Sequence, residues 1–89
     1  MPMTVRIDKS SIQVPTATNL KWAVEVEFES GERERRRLVV EAFDLNRWFR
    51  EAVGRYPVGA DDLKKREDLL ANWDKFGPFL STELGRMVP

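Results

Sequence analysis

Between residues 20 and 42 the chain alternates. Trp22, Val24, Val26 and Phe28 fall on one side and Ala23, Glu25, Glu27 and Glu29 on the other, the period-two pattern of a half-buried strand. After Ser30 and Gly31 the arginines at 33, 35, 36 and 37 lead into Leu38, Val39 and Val40, so a second strand returns antiparallel to the first. A loop of Ser30 and Gly31 alone would set Phe28 against Arg33 and Val26 against Arg35, which turns arginines onto the apolar side. A three-residue loop of Glu29, Ser30 and Gly31, with Gly31 left-handed, avoids this. It pairs Glu27 with Arg33 and Glu25 with Arg35, and sets Trp22 against Leu38 and Leu20 against Val40. This register is the expected one, and it leaves Glu34 and Arg36 on the apolar side near the hairpin tip.

Upstream, Val5 and Ile7 alternate with Arg6 and Asp8, and Ile12 and Val14 flank Gln13, so residues 4–14 supply a first strand interrupted near Ser10 and Ser11. Pro15 to Asn19 reads as a loop. Downstream the period changes to helical. Asp44 is the expected N-cap, and Leu45, Trp48, Phe49, Ala52, Val53 and Tyr56 form one apolar stripe that ends at Pro57, Val58 and Gly59. Arg47, Arg50, Glu51 and Arg55 take the outer side, with Glu51 and Arg55 at supportive spacing. A second helix is expected from Asp61 and Asp62 to about Asp74, with Leu63, Leu69, Leu70 and Trp73 facing inward. Its spacing offers the pairs Asp61 with Lys65, Asp62 with Arg66, and Lys64 with Asp68. Gly77 and Pro78 are read as a break before a short last helix over 78–87. The fold class that follows is α+β: a three-stranded antiparallel meander covered on one face by two helices plus a short C-terminal helix, in one small domain over 1–89.

Composition narrows the chemistry. The 89 residues are 42% hydrophobic, enough to fold, but a chain of this size has a thin margin of burial, which dimerisation or a permanent partner would relieve. Cysteine and histidine are both absent. That removes the usual zinc and thiolate sites, the Ser-His and Cys-His nucleophilic pairs and the commonest general base, so the expectation is a protein that is not an enzyme and takes no cofactor or metal. The carboxylates at 61, 62, 67 and 68 are read as a helix start and a solvated helix side, since no Asp-x-Asp-x-Asp-Gly loop accompanies them. No run of residues has the length of a membrane span, so the chain is read as soluble and cytoplasmic.

The arginines at 33–37 are the obvious candidate for phosphate binding. Yet residues 1–43 balance Arg6, Lys9, Lys21, Arg33, Arg35, Arg36 and Arg37 against Asp8, Glu25, Glu27, Glu29, Glu32, Glu34 and Glu41, so the half is neutral and the local field largely cancelled. A self-compensated strand face is favoured over a nucleic-acid surface. Trp22, Trp48 and Trp73 all fall on inward faces and read as core. The binding surfaces expected are the hairpin tip, with Arg33, Glu34, Arg35 and Arg36, and then the outer face of the first helix, with Arg47, Arg50 and Arg55. Phe79, Leu80, Leu84 and Met87 bring apolar surface to the chain end, either to pack across the open edge of the fold or to form an oligomer contact, a homodimer included.

The sequence of strand 33–42, helix 44–56 and helix 61–75 resembles in outline the ribbon-helix-helix DNA-binding fold. That resemblance implies a dimer laying a two-stranded ribbon in the major groove, and nucleic-acid regulation through Arg33 to Arg37 is the alternative function. The principal expectation is a small module that binds another protein as a regulator, inhibitor or accessory subunit, of the size common among prokaryotic and phage accessory proteins.

Overall fold

The alternating stretches fold into one antiparallel sheet and the helical stretches onto one of its faces. In the computed structural model, which describes residues 5–29 and 33–87, the order is β1 (Val5–Ile7), a 3-10 turn (Lys9–Ser11), β2 (Trp22–Glu29), β3 (Arg33–Val40), α1 (Ala42–Val53), α2 (Asp62–Ala71) and α3 (Trp73–Met87). The sheet is a meander with β2 in the centre. Val5 pairs with Phe28 and Ile7 with Val26, while Trp22 pairs with Val40, Val24 with Leu38, Val26 with Arg36 and Phe28 with Glu34.

The hairpin register differs from the expected one by two residues. Glu27 meets Arg35 and Glu25 meets Arg37, so Trp22 lies opposite Val40 instead of Leu38. The turn expected at Ser30 and Gly31, with the left-handed conformation of Gly31, lies outside the described residues. A shift of two keeps every side chain on its face. The faces follow the alternation with two exceptions: Ala23, expected on the wet side, is buried, and Leu20, expected opposite Val40 on the core side, lies before β2 and is 78% exposed; Glu34 and Arg36 do lie on the apolar side near the tip.

The first strand breaks where Ser10 and Ser11 stand. The Asp8 carboxylate accepts hydrogen bonds from the Ser10 backbone N–H (3.1 Å) and hydroxyl (2.6 Å), which closes a turn. Ser11 Oγ accepts from the Glu25 N–H (2.8 Å), replacing the ladder partner that the turn takes away. Pairing resumes at Gln13, whose backbone exchanges both hydrogen bonds with Ala23.

Under the sheet, one core joins Val5, Trp22, Val24, Val26, Phe28 and Val40 to Leu45, Trp48 and Phe49 of α1, Leu69 of α2, and Phe76, Leu80 and Leu84 of α3. Phe49 and Phe76 meet edge to face at 5.3 Å, and Trp73 meets Phe76 at 5.9 Å. α3 packs against both α1 and β1, and Ser81 Oγ donates a hydrogen bond to the Val5 carbonyl.

Four helix expectations are corrected. α1 starts two residues before Asp44, because β3 passes into it through Glu41 with no intervening loop; Glu41 caps with its backbone alone, and Asp44 sits in the first turn. It ends at Gly54, whose φ of 97° is left-handed, so Tyr56 lies off the helix and Arg55 is turned away from Glu51. Leu63, expected inside, is 63% exposed. The break falls at Asn72 and not at Gly77-Pro78: the Asn72 carbonyl accepts from Lys75 and Phe76 to open a 15-residue α3 that carries Pro78 inside it. Gly77 has its own reason to be there, since a Cβ would stand 2.7 Å from the Trp73 indole nitrogen.

Candidate surfaces and the arginine contacts

The candidate arginines divide by what they touch. At the hairpin tip, Arg36 Nε lies 3.2 Å from Glu34 Oε1, and its guanidinium stacks 5.1 Å from the Phe28 ring centroid, across the strand pair. Arg35, opposite Glu27 in the ladder, reaches across the wet face to Asp8 (3.3 Å). Hydrogen bonds from Ser10, and then the Arg35 charge, hold the Asp8 carboxyl below its ordinary range. Of Arg33 the structure gives the backbone pairing with Glu29. Arg35 and Arg36 near the tip are thus each within ion-pair distance of an acid.

On α1 the pattern changes. Phe43, Arg47 and Arg50 follow one another at i, i+4 and i+7 along the outer stripe. Arg47 stacks on Phe43 (5.8 Å) while holding Asp44 (3.1 Å), and Arg50 stacks on the ring of Tyr56 (5.3 Å) and donates to its hydroxyl (3.3 Å). Phe43 is 74% exposed and Tyr56 53%. Two exposed aromatic rings, each backed by an arginine, therefore lie on one side of the molecule. Sequence reading put Arg47 and Arg50 here but missed Phe43, although its place two residues before Leu45 takes it off the buried stripe.

Arg55 belongs to neither surface. Beyond Gly54 it crosses to α2 and grips Asp68 with two hydrogen bonds, 2.7 and 2.9 Å, while its guanidinium lies 5.6 Å from the Phe49 ring. Asp68 is 13% exposed and also accepts from the Val58 N–H (2.9 Å) and the Asn72 amide (3.1 Å). The Arg55 hydrogen bonds come first in lowering the Asp68 carboxyl below its ordinary value of 3.8, and Asp68 in return raises Arg55. This clamp fixes the α1–α2 connection.

The four C-terminal residues considered for an oligomer contact are also split. Leu80 and Leu84 are buried in the chain's own core and Phe79 packs partly against it, while Met87 is 51% exposed. A contact between copies on α3 has Met87 and the uncovered part of Phe79 to use. Among the described residues no group of three or more acidic side chains could hold a metal ion, and no helix is long and apolar enough to cross a membrane.

No protein-family model, curated protein or solved structure matches the chain. The strand-helix-helix outline is present as β3, α1 and α2, but β3 is hydrogen-bonded along its length to β2, and α1 packs against α3.

Proposed function

We propose that the protein is a small non-enzymatic module that binds another protein as a regulator, inhibitor or accessory subunit, and that it does so with the outer stripe of α1. The observation carrying this reading is the pair of exposed aromatic-arginine stacks, Phe43 on Arg47 and Tyr56 on Arg50. Tyrosine, phenylalanine and arginine are enriched at interfaces, and their energy there comes from rigid rings and planar guanidinium groups that lose little entropy on burial. Here each guanidinium is already held against a ring, so the stripe is partly ordered before a partner arrives. The arginines near the hairpin tip give less support, since Arg35 and Arg36 spend their charge on Asp8 and Glu34.

The test is recovery of a partner from the native host with tagged wild-type protein and with a Phe43→Ala/Tyr56→Ala double variant. A stoichiometric partner that the wild type retains and the double variant loses, with both proteins unfolding at similar temperatures, supports the proposal. Recovery of no partner, or equal retention by the variant, overturns it.

A further inference from the structure

A cleft of about 460 Å³ opens where residues 12–21 pass beside β3 and the first half of α2. Its charged lining is all of one sign: Lys21, Arg37 and Arg66, with no aspartate or glutamate. In a molecule with 15 basic and 15 acidic residues, and a sheet face on which the two alternate, a wall of unmixed cations is a local departure.

Two of these cations, Arg37 and Arg66, are also held in ways that leave charge available. Arg37 lies opposite Glu25 in the ladder, yet its Nη2 turns to the Gln13 side-chain oxygen (3.4 Å), and it makes no ion pair among the described residues. Arg66 donates from Nε to the Ile12 carbonyl (2.7 Å) and from Nη2 to the Ser10 carbonyl (3.1 Å). Neutral carbonyls fix the guanidinium without cancelling it, and Nη1 makes no hydrogen bond among the described residues. Lys21 is tied to Glu41 at 3.4 Å, at the cleft's edge. Leu63, 63% exposed although α2 has an inward side to bury it on, completes the lining with an apolar wall.

We propose that this cleft binds an acidic peptide segment of a partner protein, its carboxylates on Arg37 and Arg66 and an apolar side chain against Leu63. Bidentate guanidinium groups match carboxylates, and an apolar wall beside them selects a segment that carries both kinds of side chain. A phosphate backbone fits less well, because it calls for cations along a track, and Glu25 and Glu41 interrupt any such track on either side. The proposal goes beyond the α1 reading and shares no residue with it, so each experiment can fail while the other succeeds.

The test is an NMR titration of labelled protein with a capped peptide of glutamates around one leucine, its counterpart with every glutamate replaced by glutamine, and a short single-stranded oligothymidylate. Saturable shifts centred on Gln13, Arg37, Leu63 and Arg66 are expected with the acidic peptide. Arg37→Gln and Leu63→Asn should each weaken binding about fivefold or more, and the glutamine peptide about tenfold or more. Leu63 is exposed, so Leu63→Asn keeps the test interpretable if Arg37→Gln disturbs the fold. No saturable shift, shifts centred elsewhere, equal binding of the glutamine peptide, or tighter binding of the oligonucleotide each overturns the proposal.

Discussion

Replacing Asp68 by alanine removes a side chain that ties the α1–α2 connection to α2. Four hydrogen bonds go with it, from Arg55 Nη1 and Nη2, the Val58 N–H and the Asn72 amide. Arg55 is about half exposed and recovers solvation on release, so its share is discounted; the Val58 and Asn72 bonds to a largely buried carboxylate carry most of the cost. Hydrogen bonds to a charged group contribute roughly 1.5–3 kcal/mol each, and part is regained from water, so Asp68→Ala is expected to cost about 2–3 kcal/mol. In a domain of this size that lowers the unfolding midpoint by on the order of 10–20 °C. Urea unfolding at neutral pH measures it, and a loss below about 0.5 kcal/mol would refute the reasoning.

The same carboxylate sets a pH signature. Its folded pKa lies below the ordinary 3.8, so the unfolded chain takes up a proton first as the pH falls. The stabilisation is present in full above that value and is lost as the pH drops through the lower folded one. Asp68→Asn, which keeps the shape and removes the charge, should thus be much less stable than wild type at about pH 7, and the gap should close as the pH falls below the ordinary 3.8 and through the lower folded value. A difference constant over that range would locate the effect in packing and not in charge.

Three further outcomes are expected. Phe76→Ala empties a fully buried ring site between Phe49 and Trp73 and should cost about 3–5 kcal/mol by chemical denaturation; a loss under about 1 kcal/mol would mean that this site is not the core's centre. Gly77→Ala gains up to about 1 kcal/mol of helix propensity but drives a methyl into the Trp73 indole, so a net loss with altered tryptophan fluorescence is expected, and net stabilisation would count against the packing. In this cysteine-free chain, Glu27→Cys with Arg35→Cys should oxidise readily to an intramolecular disulfide while Glu27→Cys with Arg33→Cys should not, and the reverse result would restore the register shifted by two.

That register shows what the residues could and could not specify. Period-two alternation decides which face Val24 or Glu25 occupies, and it is insensitive to a shift of two. The charges do not break the tie, because arginine stands at both 33 and 35, so Glu27 finds a cation in either register. Leu45, Trp48 and Phe49 were legible for the opposite reason: their 3.6-residue spacing has no equally good alternative. Arg55 and Leu63 were misplaced by one backbone feature each, the left-handed Gly54 that ends α1 early and the short α2 whose first turn stands beside the cleft. The grip of Arg66 on the Ser10 and Ile12 carbonyls spans more than 50 residues of chain, and no local pattern announces a contact of that kind.

The outer edge of β3 adds a constraint on association. β3 is an edge strand of eight residues, the sort of edge that pairs with a second copy unless something prevents it. A two-fold axis on that edge sets its central residue opposite its own copy. Arg35, Arg36 and Arg37 stand at or beside the middle of the strand, so an axis at any of them faces like charge with like. Moving the axis toward Leu38 or Val39 escapes the repulsion only by shortening the ladder on one side, where α1 begins two residues after Val40. The arginine run thus faces two ways: on its closed side it lies opposite Glu25, Glu27 and Glu29 of β2 and reaches Asp8, and on its open side a second copy would set like charge against like.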